Sequence, residues 1–296
     1  MTSVNQSVIR RAPRRRRSRL GGLRQASPLT YFALIVATAL SVFPIYWMFV
    51  VASRTNDAIR ATPPPLLPGG HFFDNVSRLL DNENAMFLVG LANSAIVASV
   101  VTVSQVFFCS LAGFAFAKLR FRGKNALLLF IIATMAVPVQ LGIIPLYMLM
   151  VEIGWLNELQ SVIVPFLVSG FGVFMMRQYA SQAISDELIE AARVDGCSTF
   201  RIYWNVVLPV LRPAAAVLGL LQFMAMWNEF IWPFAALSRG DQPTVQVSLR
   251  RLSEGFFTDF SLVFAGVALS VLPLVVVFIV FGRQIIGGIM EGAVKA

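Results

Sequence analysis

Histidine occurs once in this chain of 296 residues, at position 71, and cysteine twice, at 109 and 197. His71 stands beside Phe72 with nothing nearby to complete a set of metal ligands, so it reads as a surface histidine. Cys109 falls in an apolar run and Cys197 in a charged one, which argues against a disulfide. No metal and no cofactor is expected. Charge is scarce as well: Asp, Glu, Lys and Arg make up 13% of the chain, about half the share usual in soluble domains. A catalytic centre needs nucleophile, base or metal ligands converging at one depth. The long apolar runs here hold a single acid, Glu229, and no histidine, so the chain is not expected to be an enzyme. The same scarcity weighs against ion-coupled carriers, which place several ionisable groups near the bilayer midplane. The tetrapeptide RGKN at 122–125 resembles the tail of a phosphate-binding loop. It lacks the earlier glycine, and Asn125 stands where Ser or Thr would meet magnesium, so no nucleotide site is expected.

What is abundant is apolar surface: 57% of residues are hydrophobic and 25 are Phe. Stretches free of charge cover 25–53, 84–117, 125–151, 159–176 and 260–282, and a sixth, 213–238, is interrupted only by Glu229. Each is near or above the roughly 18 residues that cross a bilayer as a helix. The expected fold is therefore an all-α integral membrane protein with six transmembrane helices. With the N-terminus inside, 18 of the 24 Lys and Arg fall in inner segments, and only Arg54, Arg60, Arg78, Arg239, Arg250 and Arg251 fall outside. The positive-inside rule then places both termini in the cytoplasm. The arginine run RRAPRRRRSR is read as a topology signal facing anionic lipid, not as a nucleic-acid arm or a cleavable leader, because the apolar run after it is too long and ends in no small-residue cleavage site.

One charged stretch lies among these runs, ELIEAARVDGCSTFRIYWNVVLPVLRP at 187–213. Ser185 suits an N-cap, and Asp186 and Glu187 suit the positive end of the helix that follows. Ile184, Leu188, Ala191 and Ala192 are spaced to share one face of it. Asp195-Gly196 ends the helix, and a second one begins near Ser198, with Pro209 and Pro213 bracketing entry into the fifth span. A cytoplasmic helix-turn-helix with small residues on its exposed face is expected over 178–212. The competing reading is an amphipathic linker lying on the membrane.

The pattern Glu190-Ala191-Ala192, Asp195-Gly196, Phe200, Ile202, Leu208-Pro209 and Pro213 resembles the EAA loop of permease subunits in binding-protein-dependent ABC importers. AGFAFAKLRFRGKN at 112–125 and WNEFIWPFAAL at 227–237 are similar to the carbohydrate-importer branch, and to the six-span member of its permease pair. The resemblance runs from about position 31 to the C-terminus. Ser185 departs from the proline frequent in the family, and Cys197 from alanine. The resemblance implies half of a gated pathway, completed by a second permease subunit, driven by two ATPase subunits, and supplied by an extracellular or periplasmic sugar-binding protein in the bacterial cytoplasmic membrane. It assigns ATPase coupling to Glu190, Ala191, Ala192, Asp195 and Gly196.

Candidates for the pathway or its gate are Trp227, Asn228, Glu229 and Trp232, where aromatic faces and hydrogen-bonding groups adjoin the single acid in a span. The tryptophans suit interfacial anchoring equally well. Arg250 and Arg251, in the long outer loop 239–259, are candidates for contact with the binding protein. The expected organisation is a basic segment 1–28, a permease domain 29–286 and a tail 287–296. A permease of the same superfamily for another solute, a secondary transporter and a structural membrane scaffold are the alternatives.

Overall fold

The computed structural model describes residues 27–237, 240–254 and 257–293, with side chains up to Gly282. Most of the basic segment 1–28, Arg239, the side chain of Arg283, Lys295 and the side chains of the tail 287–296 lie outside the described residues. Contacts divide the chain into two units, Met1–Tyr46 and Trp47–Ala296. Helix α1, Pro28–Ala52, starts in the first unit and ends in the second. All the regular structure described is helical.

Two short helices follow, α2 (Asn56–Arg60) and α3 (Phe72–Leu80). Asn75 on α3 donates from Nδ2 to the carbonyls of Ala52 and Arg54, both at 2.9 Å, and so satisfies acceptors that the end of α1 leaves open. Helix α4 spans Phe87–Lys118, and α5 spans Lys124–Met135. A 3-10 turn, Val139–Gly142, leads on to α6, Ile143–Glu152. The run 125–151, expected to cross as one helix, is thus two helices bent by 91° at a break. Pro138 accounts for it: proline has no N–H to continue the ladder and drives the residue before it from the helical region.

The fourth apolar segment joins α7 (Gln160–Ile163), a 3-10 turn containing Pro165, and α8 (Gly170–Ala183). Ser169 caps α8 by accepting from Gly172 N at 3.0 Å. Helices α4 and α8 meet through small residues. A Cβ added at Gly113 would lie 2.7 Å from the backbone nitrogen of Arg177, and one at Gly172 2.7 Å from Cys109 Sγ. Close backbone approach through small residues is how helices associate where no hydrophobic force separates lipid from protein. Both cysteines are free.

After α8 come α9 (Asp186–Val194), α10 (Thr199–Ile202), a π turn (Tyr203–Val207) and α11 (Leu208–Asn228). The last three form one continuous span from Thr199 to Asn228, so the fifth crossing does not begin at Pro213 as the charge pattern suggests. Pro209 falls just past the π turn, where Leu208 N already reaches back to Tyr203 O and the usual ladder is shifted. Beyond the span lie α12 (Ile231–Ala236), α13 (Val245–Arg251) and α14 (Phe260–Ala293).

Among the described residues, five helices are long and apolar enough to cross a membrane, or six if the bent pair counts as one span. Leu272, Val275, Val276, Phe278 and Ile279 on α14 all face outward. A helix apolar on its exposed side is matched to lipid and not to water.

Candidate functional site

The charged stretch forms a hairpin whose ends are set by local chemistry. Ser185 accepts from Leu188 N, and Ser198 accepts from Arg201 N, each at 3.4 Å, so both short helices carry the hydroxyl caps their sequence supplies. Between them, Cys197 N donates to Ala192 O and Gly196 N to Arg193 O, both at 3.0 Å, with Gly196 at φ +77°. That pairing is a Schellman motif, and it requires a left-handed residue at the position glycine occupies.

The faces of α9 differ from expectation. Ile189 and Ala192 are buried, Ala192 to 8% exposure, whereas Leu188 and Ala191 are exposed. Leu188 and Val194 are as apolar as Ile189, so spacing alone did not choose the inward face. Ile189 and Ala192 share a core cluster with Phe114 and Phe116 of α4, Ile184, Ile202 of α10 and Tyr203 of the π turn. The exposed side presents Leu188, Glu190, Ala191, Arg193, Val194 at 88%, Asp195 and Gly196. Of the five coupling candidates, four therefore face outward and Ala192 faces in.

Two polar contacts that the sequence did not suggest brace this hairpin against α4. Lys118 Nζ, on a side chain only 9% exposed, lies 2.6 Å from Asp186 Oδ1. The hydrogen bond and charge of Lys118 hold the Asp186 carboxyl below its ordinary range. Deeper in the bundle, Ser110 Oγ and Tyr203 Oη are 2.8 Å apart. Lys118 and Ser110 were legible only as an inside-positive charge and a polar residue in a span. A cleft of about 570 Å³ opens between the α4–α5 turn and α9, lined by Lys118, Arg120, Lys124, Asp186, Glu190 and Arg193.

The second candidate group sits at the break between α11 and α12. Trp227 is buried, stacks on Phe223 with centroids 5.7 Å apart, and donates its indole N–H to Ser270 O at 3.1 Å. Trp232 is buried too and donates to Ser161 O at 2.9 Å. Both rings are thus packed within this chain, and neither presents an open face. Asn228 is exposed and donates to Met224 O at 2.8 Å. Glu229 is not inside a helix. It ends α11 with ψ 125°, and its Oε1 accepts from Trp232 N at 3.1 Å, in the first turn of α12.

The third group lies on and beside α13. Arg250 is exposed and 3.9 Å from Glu254. Arg251 turns partly inward: Nη2 donates to Gly240 O at 3.0 Å, and Nη1 lies 3.7 Å from Met86 Sδ. Beyond the helix, Asp259 accepts from Arg78 of α3 at 2.6 Å.

Residues 109–287 match the family described as "Binding-protein-dependent transport system inner membrane component". The chain is 29% identical to the arabinooligosaccharides transport system permease protein AraQ of Halalkalibacterium halodurans, over 92% of this chain and 99% of that one. It is 30% identical to the sn-glycerol-3-phosphate transport system permease protein UgpE of Yersinia enterocolitica, covering 87% and 94%. With the lactose transport system permease protein LacG of Rhizobium radiobacter it shares 32%, covering 90% and 95%. A chain of a bacterial ABC transporter that imports the acidic polysaccharide alginate has the same fold, with a TM-score of 0.75 at 24% identity, over 86% of this chain and 94% of that one. The match spans the helices that build and brace the hairpin, and the protein belongs to the family of inner membrane components of binding-protein-dependent transport systems.

Proposed function

We propose that this protein is a non-catalytic permease subunit of an ATP-driven importer for sugars or oligosaccharides. It forms half of the pathway with a second permease, and ATP is hydrolysed on two separate subunits. The observation that carries the coupling role is the hairpin: Ile189 and Ala192 anchor it in the core, while Leu188, Glu190, Ala191 and Val194 face outward. A rigid, capped element with a small residue and a carboxylate on its open face suits a cleft on an ATPase subunit. Lys118, Arg120, Arg122, Lys124, Arg177, Arg193 and Arg201 support a cytoplasmic position for it and for both termini.

Cargo is assigned from relatives named for arabinooligosaccharides and lactose. The relative named for sn-glycerol-3-phosphate supports a second reading, a phosphorylated polyol. On the delivery side, the exposed face of α13 with Arg250 is the surface for the binding protein, and Arg251 holds that loop in place. Asn228 and Glu229 are the polar groups assigned to the pathway or gate, positioned by the packed Trp227 and Trp232.

The test is uptake of labelled lactose, arabinooligosaccharide and glycerol phosphate by vesicles holding the complete transporter, with ATP hydrolysis followed in parallel. ATP- and binding-protein-dependent uptake of a carbohydrate is expected. Uptake that persists without ATP would make the protein a secondary transporter.

A further inference from the structure

Arg212 stands within the continuous span Thr199–Asn228. At 30 residues that span is about 45 Å long, against a hydrocarbon core of about 30 Å. Arg212 lies about 24 Å from the Asn228 end, so with that end set at the far hydrocarbon edge its Cα falls about 6 Å inside the near one. A guanidinium at that depth is within snorkelling reach of the headgroups but needs an anionic or accepting partner. Among the described residues it has none, although its side chain is exposed.

The surface around it is a groove of about 610 Å³ between α4, α11 and α14, walled by Val103, Phe107, Gly219 and Phe281, with Trp204 toward the hairpin. Among the described residues, no acidic one lines it. Trp204 is half exposed and lies about 12 Å nearer the hairpin than Arg212, at the level where tryptophan favours the membrane interface. The groove therefore has an apolar track, an arginine with no partner among the described residues, and an interfacial aromatic beside it. Basic pockets of this kind between spans suit anionic headgroups.

We propose that the groove binds an anionic phospholipid of the leaflet on the hairpin side, with its phosphate on Arg212 and an acyl chain along Val103, Phe107 and Gly219. Charge complementarity selects a headgroup of net negative charge over a zwitterionic one, whose own ammonium offsets the phosphate that would face Arg212. The inference needs only a membrane-spanning chain and is independent of the cargo.

The full-length protein in micelles is titrated with brominated phosphatidylglycerol or brominated phosphatidylcholine, and quenching of the emission lost in Trp204→Phe is followed. Half-quenching is expected at about fivefold less phosphatidylglycerol than phosphatidylcholine. Arg212→Lys retains the preference, and Arg212→Gln removes it. Equal quenching by the two lipids, or a preference that survives in Arg212→Gln, overturns the proposal. Relief of quenching by inorganic phosphate or by glycerol phosphate does so too, because the arginine then belongs to a soluble anion. Native mass spectrometry of the unaltered protein gives a reading independent of the variants: one retained phosphatidylglycerol in excess of phosphatidylcholine is expected, and equal retention refutes the site.

Discussion

Ser110 Oγ and Tyr203 Oη meet 2.8 Å apart with both residues fully buried, linking α4 to the π turn that carries the hairpin into the fifth span. Ser110 donates its own proton to Phe107 O at 3.0 Å, so the phenol is the donor between the pair. The two partners are consequently unequal. Tyr203→Phe leaves Ser110 satisfied by Phe107 and loses one hydrogen bond, about 0.6 kcal/mol by the average for membrane helices. Ser110→Ala strands a buried hydroxyl, at about 1–3 kcal/mol. Thermal unfolding in detergent is expected to rank Ser110→Ala below Tyr203→Phe, and the reverse order would show that Tyr203 has another acceptor.

The turn makes a second prediction. Gly196 sits at φ +77°, and nothing lies within 4 Å of where its Cβ would be, so strain and not crowding governs substitution. Gly196→Val is expected to destabilise the turn by about 1–3 kcal/mol and to lower uptake, while Gly196→Asn, whose side chain tolerates the left-handed region, keeps most of it. ATP hydrolysis and uptake are measured in the same vesicles. Normal uptake by the valine variant would remove the hairpin from coupling.

The ion pair of Lys118 with Asp186 predicts a dependence on pH. Because the folded carboxyl titrates below its ordinary value of 3.8, its contribution is present above that value and is lost as pH falls through the lower, folded one. Asp186→Asn is expected to be less stable than the unaltered protein at neutral pH, and the gap to close below pH 3.8. Scanning fluorimetry across pH measures it. A gap that stays constant into acid would mean that the effect of the substitution does not depend on the carboxylate's charge, and would remove the ion pair as its source.

How much of this was legible in the sequence depends on how far apart the determining groups lie. The hairpin was readable because Ser185, Asp195-Gly196 and Ser198 act on backbone groups within three residues of themselves. The inward face of α9 was not, since Leu188, Ile189 and Val194 are equally apolar and only α4 distinguishes them. The bend at Pro138 had a signal in the proline itself, obscured by the absence of charge on either side. Burial of Trp227 and Trp232 depends on carbonyls of Ser270 and Ser161, 43 and 71 residues away, which no local pattern reveals.

Topology is tested by labelling. Ser198→Cys, in a background without Cys109 and Cys197, is expected to resist a membrane-impermeant thiol reagent in intact cells and to react in inside-out vesicles. Labelling in intact cells would invert the assigned orientation and move the hairpin to the outer face.

The last prediction concerns Glu229, which sequence reading placed inside a span and the fold places at a helix break. Its carboxylate accepts from Trp232 N at 3.1 Å, and so fixes the start of α12, the helix that carries Trp232 into the cluster of Val97, Val101, Met150 and Val162. Two roles are therefore separable by chemistry. Glutamine keeps the acceptor and the volume but removes the charge; leucine keeps the volume and removes both. If this hydrogen bond is what matters, Glu229→Gln retains stability and Glu229→Leu loses about 0.5–1.5 kcal/mol, the usual net worth of one hydrogen bond. If the charge also works in the pathway, Glu229→Gln changes the uptake rate at unchanged stability. Unfolding in detergent and uptake in vesicles, measured on both variants, distinguish these outcomes. A leucine variant with normal stability and normal uptake would remove both roles and send the search for the gate to other helices.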